Sequence, residues 1–385
     1  MKIVVAPDSF KGSIESKEAA HIISQAIQDF DASIEVVEIP MADGGEGTVQ
    51  AMLHILGGEE IVCEVEDPLG RKISAGYGWL PIEKTAIIET ASASGLPLLT
   101  KLELDPARAS SFGTGQLVKA ALDRGAEKII MGLGGSATVD AGVGLFQALG
   151  LKAYDENGKT IERVGGRLDL IQGLDMESFD DRLPQVKIIV ASDVTSPLLG
   201  PDGAVYVFGP QKGVKTSELK PFEAGMASFA EVMKRTVGKD CTLKPGSGAA
   251  GGIGFTLQSF VDVEFQSGLD LVVEMSDFRK HLKDTDLVIT GEGKIDGQSI
   301  LGKVPVGLSR IAKDRGIPVV AIAGGIGEDT DRLKQEGIEA VLSIVDGPMP
   351  IEEAMQNGKK LLYEATKRML HLIEIGTKLK GVRGE

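Results

Sequence analysis

The sequence predicts a two-domain α/β protein. One domain is a parallel-sheet, Rossmann- or flavodoxin-like three-layer structure, and a second, mixed α/β domain is inserted into it. Three observations carry this reading. At both ends of the chain a short apolar run leads into a Gly-rich polar loop and then an amphipathic stretch, the rhythm of a parallel α/β sheet. Between about residues 60 and 90 that rhythm gives way to short alternating runs with turn signals at Asp67-Pro68-Leu69-Gly70 and Leu80-Pro81, which read as antiparallel strands. Finally, 385 residues exceed what one core normally fills. The expected division is 1–60 with 285–385 for the discontinuous parallel domain, and 61–284 for the insert.

Ile3–Ala6 is the first expected strand, followed by the polar loop 7–13 and an amphipathic helix over 16–30. Glu35–Ile39 is the next strand; loop 41–48 leads from it into a helix carrying Val49, Met52, Leu53 and Leu56. In the middle of the chain a helix over 114–125 precedes the strand 128–131, the Gly-rich loop 132–142 and a helix to Leu149, and Lys187–Ala191 is a further strand. From Leu287 the first rhythm returns: strand 287–290 and loop 291–302, strand 319–323 and loop 324–325, strand 340–344 and loop 346–347, then a helix over 351–375.

Composition narrows the function. With 41 Lys and Arg against 56 Asp and Glu, the net charge of −15 disfavours nucleic acid and anionic membranes as partners. Cys63 and Cys241 are too far apart to form a CxxC pair, and the four histidines, His21, His54, His281 and His371, are scattered, which argues against disulfides and zinc. The first residues lack the apolar core of a signal peptide, and no apolar run reaches membrane-spanning length, so a cytoplasmic protein is expected. Fifty glycines cluster beside Ser, Thr, Asp and Lys, where backbone must approach a ligand closely.

In open α/β sheets, ligands bind beyond the carboxyl ends of the strands. Four such ends carry glycine together with charge: Asp8, Ser9 and Lys11 after the first strand; Gly134, Gly135, Ser136, Thr138 and Asp140 after 128–131; Asp193 after 187–191; and Glu292, Lys294 and Asp296 after 287–290. A single charge there is usually a turn or cap residue. Two strings imitate nucleotide motifs. Gly246–Gly251 fits GxGxxG, but Lys244-Pro245 precedes it rather than a strand. Gly297–Lys303 fits most of a Walker A loop, but Val304 replaces the Mg²⁺-binding hydroxyl and no strand is expected immediately before it. The loop 134–138 is a better phosphate cradle, with glycines for close approach, two hydroxyls as donors and a following helix. A plain strand-to-helix turn is its bland alternative. Gly246–Gly254, including Gly248 and Gly251, could form a second cradle or simply let helices pack closely. Lys11 and Lys212 stand out among the lysines because glycine or proline bounds their loops.

Taken together, these loops resemble the type I glycerate kinase family. The matching strings, in order, are APDSFKGS (6–13), MADGGEGT (41–48), DPLG (67–70), ETASASGL (89–96) and SSFGTGQL (110–117), then GLGGSATVDAGVG (132–144), ASDVTSPLLGPDGA (191–204), FGPQKG (208–213), GSGAAGG (246–252) and ITGEGKIDGQSILGKVP (289–305). The resemblance implies transfer of the ATP γ-phosphate to a glycerate hydroxyl with Mg²⁺, usually giving 2-phosphoglycerate, in a cleft between two α/β domains. The partners expected are glycerate and ATP, with homo-oligomer formation left open. Residue roles follow from chemistry rather than from the resemblance. Asp193 is the expected base, with Asp8 and Lys11 as further catalytic groups. Lys11 and then Arg71 are expected on the glycerate carboxylate, with Ser9 and Asp43 beside them. Gly134, Gly135, Ser136, Thr138, Lys212, Gly248 and Gly251 are expected on ATP, and Asp296 and Glu292 on Mg²⁺. A non-catalytic two-domain sensor and a nicotinamide-dependent hydroxy-acid enzyme remain the alternatives at this point.

Overall fold

A computed structural model describes residues 1–301 and 303–383. The fold is mixed α/β with two main sheets. The chain divides into two compact units, one formed by 1–43, 50–56 and 269–385, the other by 44–49 and 57–268.

The strands are β1 (Lys2–Pro7), β2 (Glu35–Glu38), β3 (Glu59–Glu66), β4 (Lys72–Leu80), β5 (Thr85–Glu89), β6 (Lys128–Gly132), β7 (Lys152–Tyr154), β8 (Gly173–Asp175), β9 (Lys187–Ala191), β10 (Val263–Gln266), β11 (Leu287–Ile295), β12 (Val319–Ile326) and β13 (Ile338–Ser343).

In the first unit the sheet order is β13-β12-β11-β1-β2, and every pairing is parallel. The helix Ser16–Phe30 turns Ala19, Ala20, Ile23 and Ile27 onto one face of this sheet, the spacing of a single helical stripe. They pack with Ile3, Val5, Ile289 and Ile322 and with Leu361, Leu362, Ala365 and Met369 of the helix Gly358–Arg383. On the other face, Val306 of the helix Val304–Lys313 packs with Ile295, Ala321 and Ala323. Helices on both faces of a parallel sheet make three layers. The order of strands reverses between β1 and β11, so the carboxyl ends of these two flank a topological switch point, where open α/β sheets bind ligands.

The second unit is built on a sheet of order β10-β9-β6-β5-β4-β3. β10, β9, β6 and β5 run parallel, whereas β4 and β3 are antiparallel additions. Phe112–Asp123 covers one face with Leu117, Val118, Ala121 and Leu122, beside Phe146, which contacts the rings of Phe179 and Phe260. A further cluster is built around Phe229, Met226 and Phe255. The hairpin β7–β8, the helix Leu219–Val237 and β10 were not anticipated from the sequence.

Three expectations need correction. The strand expected to stop at Thr290 runs on to Ile295, pairing Glu292 with Ala323 and Lys294 with Gly325. Glycine weakens an isolated strand, but here it permits close neighbours. A Cβ on Gly291 would lie 2.3 Å from Ile322 O, and one on Gly324 would lie 2.5 Å from Gly293 O. A strand therefore does lead toward the Walker-like segment, contrary to expectation. That segment still folds as a 3-10 helix, Gly297–Leu301, and Val304 still offers no hydroxyl. Gly302 lies outside the described residues. The terminal helix expected over 351–375 is two helices, Ile351–Gln356 and Gly358–Arg383.

Candidate active site

Each unit gathers its polar residues at the carboxyl ends of parallel strands. In the first unit Asp8 follows β1, where its amide donates to Gly291 O at 2.8 Å and its Oδ1 accepts the Ser9 amide at 2.6 Å. Burial pushes Asp8 up to about 8, and the charges of Asp43 and Glu292 add to the rise, while the Ser9 amide and Lys303 work against it. Glu292, in β11, is only 7% exposed; it accepts from Ser299 Oγ at 3.0 Å and pairs with Lys303 Nζ at 3.2 Å. Burial raises its pKa as well. Lys303 Nζ also donates to Lys294 O at 2.9 Å, and Lys294 Nζ pairs with Asp296 at 3.0 Å. Asp8, Asp43, Glu292, Asp296 and two lysines thus surround the β1–β11 switch point. Ser9 is half-buried beside them, and Lys11 is exposed, with its backbone passing Gly293.

Among the described residues, no three acids, histidines or cysteines converge on a ready-made metal cage. Mg²⁺ does not need one, since it takes one or two carboxylates and fills its shell with waters and substrate phosphates.

In the second unit the glycine loop after β6 is stitched to residues 94–96, with Leu96 N–H on Gly135 O and Ala137 N–H on Ser94 O, both at 2.8 Å. Gly135 has φ +72°, a left-handed conformation that glycine adopts without strain. A Cβ on Gly134 would stand 2.8 Å from Gly45 Cα, and one on Gly132 would stand 2.4 Å from Gly44 O. Gly44 and Gly45 are therefore laid directly against this turn. Ser136 and Thr138 are buried, and Lys212 is only 2% exposed. Lys212 Nζ donates to Ser136 Oγ at 2.7 Å and to Thr138 O at 2.9 Å. Burial pulls Lys212 down to about 7, with Asp140 partly opposing the shift. Asp140, fully buried, accepts from Ser111 N at 2.7 Å, Ser111 Oγ at 2.8 Å, Gly142 N at 3.1 Å and Gly144 N at 3.2 Å. Thr138 Oγ1 is buried without a hydrogen-bond partner among the described residues.

Other expected site residues fall elsewhere. Asp193 sits exposed, two residues beyond β9. Arg71 is held by Asp67 and, at 2.5 Å, by Glu103, and so braces the DPLG turn. Gly248 and Gly251 face protein: a Cβ on them would meet Pro197 O at 2.4 Å and Thr138 O at 2.1 Å. Their missing side chains make room for neighbouring backbone. Gly251→Ala, at φ +68°, should therefore destabilise the fold by about 2 kcal/mol or more in urea unfolding. An alanine variant as stable as the parent would reopen the cradle reading.

One group escaped the sequence reading. Glu89 ends β5 and is 7% exposed, with Oε1 accepting the Val49 amide at 2.7 Å. The signal that could have found Glu89 is the one that singled out Asp193, a carboxylate closing an apolar strand.

Parallel sheets with buried charge and glycine turns at their carboxyl ends define an α/β enzyme that handles small anionic substrates. The model of the Glycerate kinase family matches residues 3–374, and the chain belongs to that family. It is 44% identical to a glycerate kinase of Halalkalibacterium halodurans, over 95% of this chain and 97% of that one. It is 42% identical to the glycerate 2-kinase of Escherichia coli, over 99% and 100%. Its structure resembles that of putative glycerate kinase 2 from Salmonella typhimurium LT2, with a TM-score of 0.85 at 39% identity over 98% of this chain and 99% of that one.

Proposed function

We propose that the protein transfers the γ-phosphate of ATP to a hydroxyl of glycerate, giving 2-phosphoglycerate. The observation that carries this reading is the family match over residues 3–374. In this reading each unit contributes its own set of residues. The loop 134–138 offers backbone N–H groups at Gly134 and Gly135 to the ATP phosphates, while Ser136 and Thr138, buried behind them, tie the loop to Lys212. At the β1–β11 switch point, Asp8 has the proton affinity of a base working near neutral pH and accepts the proton of the glycerate hydroxyl. Asp193 is the second candidate for that role. Lys11, with Ser9 and Asp43 beside it, receives the glycerate carboxylate; Arg71, already paired, is the weaker candidate. Glu292 and Asp296 would hold Mg²⁺, which would supply charge neutralisation on the phosphates. The setting is the cytoplasm, where ATP is available; among the described residues no helix is long and apolar enough to cross a membrane.

The test is to incubate the pure protein with ATP, Mg²⁺ and a panel of C3–C4 hydroxy acids and to measure ADP release. Glycerate should give the highest kcat/KM, and phosphorus NMR should show the 2-phosphate. No glycerate-dependent release, or a clear preference for another acid, would overturn the proposal; a 3-phosphate would overturn the regiochemistry.

A further inference from the structure

We infer that Glu89 is a positioning residue for phosphoryl transfer, its buried carboxylate pinning the Gly44–Val49 segment against the glycine turn 132–135. The inference rests on the reading that this turn receives the ATP phosphates. The helix Thr48–Leu56 starts after Gly47, at φ +93°, and has no side-chain cap of its own. Exposed N-terminal amides of a helix need acceptors and favour negative charge. Glu89, forty residues further along, supplies both through the Val49 amide at 2.7 Å. Thr48 Oγ1 in turn donates to Gly45 O at 2.8 Å, so fixing the helix start also fixes the glycine turn before it.

The other end of the segment fits closely against neighbouring backbone. Gly44 and Gly45 approach Gly132 and Gly134 so closely that any side chain would collide, and a Cβ on Gly44 would stand 2.9 Å from Ala191 O. The segment therefore lies over the carboxyl ends of β5, β6 and β9, and glycines have no side chain with which to anchor themselves there. Glu89 provides that anchor. Little solvent reaches its carboxylate: burial, helped by the charge of Glu46, pushes it up to about 7 even though the amides of Val49, Gly47 and Thr48 favour the charged form. Arranging such a costly group at this point is consistent with a positional requirement.

Glu89→Ala should raise the KM for ATP by about 10–100-fold, the scale of a modest misplacement of binding groups, with the KM for glycerate changed less than about threefold. Glu89→Gln keeps an oxygen that accepts the Val49 amide and should stay within about threefold of the parent. Hydrogen exchange over residues 44–56 should accelerate in the alanine variant and not in the glutamine variant. This measurement needs no turnover, so it stands even if glycerate proves not to be the acceptor. If the alanine chain does not fold, Glu89→Asp, with the carboxylate drawn back by one methylene, takes its place. Unchanged exchange over 44–56, or equal rises in both Michaelis constants, would overturn the inference.

Discussion

Asp8→Asn should lower kcat by about 10²–10⁴-fold, the usual contribution of a positioned base, while raising the melting temperature. The two effects share one cause. The carboxyl is enclosed beside Asp43 and Glu292, so its folded pKa lies near 8 rather than the ordinary 3.8. The folded protein therefore keeps a proton between about pH 4 and 8 that the unfolded chain releases, and this group's contribution to stability declines as pH rises through that window. Asparagine keeps the shape and never ionises, so its stability advantage should grow over the same range. The kcat of the parent should rise with pH to a plateau above about 8, as the base becomes available. Steady-state kinetics and calorimetry at several pH values check both halves. Near-normal turnover in Asp8→Asn would move the base to Asp193, and a lowered melting temperature would make Asp8 a structural group.

Lys212→Met should raise the KM for ATP by about 10²–10³-fold, comparable to losing a preorganised donor. Methionine fills a similar volume but cannot donate to Ser136 Oγ and Thr138 O, the two bonds that hold the glycine turn from beneath. Stability should also change its pH dependence. The folded pKa of about 7 lies below the ordinary 10.5, so between those values the unfolded chain binds the proton that the folded protein lacks. Parent stability therefore rises with pH across that window, and Lys212→Met should lose this slope. Asp140 complicates removal of the lysine, because it would keep a buried carboxyl without its neighbouring ammonium; its four donors, two from Ser111 and one each from Gly142 and Gly144, remain. An unchanged ATP dependence would reduce Lys212 to a purely structural tie.

Much of the candidate site was legible because its signal is local. Asp8 and Lys11 follow an apolar run, Gly134 and Gly135 precede two hydroxyls, and Lys212 sits in a loop bounded by glycine and proline; each pattern is visible within about ten residues. Gly248 and Gly251 show the limit. A glycine that admits a phosphate and one that admits a carbonyl look alike in sequence, since both are defined by a missing Cβ, and only the position of Thr138 O and Pro197 O tells them apart. GEGKI was read as a loop for a related reason: strand propensity weighs glycine against pairing, but the pairing partner Ala321–Ile326 lies some thirty residues away.

The sequence by itself determined the family, the α/β rhythm at both ends of the chain and the antiparallel excursion after residue 60. Those follow from hydrophobic periodicity, turn chemistry and ordered motifs, all properties of neighbouring residues. Only the tertiary structure decided which charges are buried and what they touch: Asp8 raised by burial and then by the charges of Asp43 and Glu292, Lys212 stripped of water beneath the glycine turn, Arg71 bound to Asp67 and Glu103, and Glu89 reaching back to the Val49 amide. The physical reason is that a side chain's pKa and its freedom to meet a substrate depend on desolvation and on partners brought close by folding, and 284 residues separate Asp8 from Glu292 in the chain.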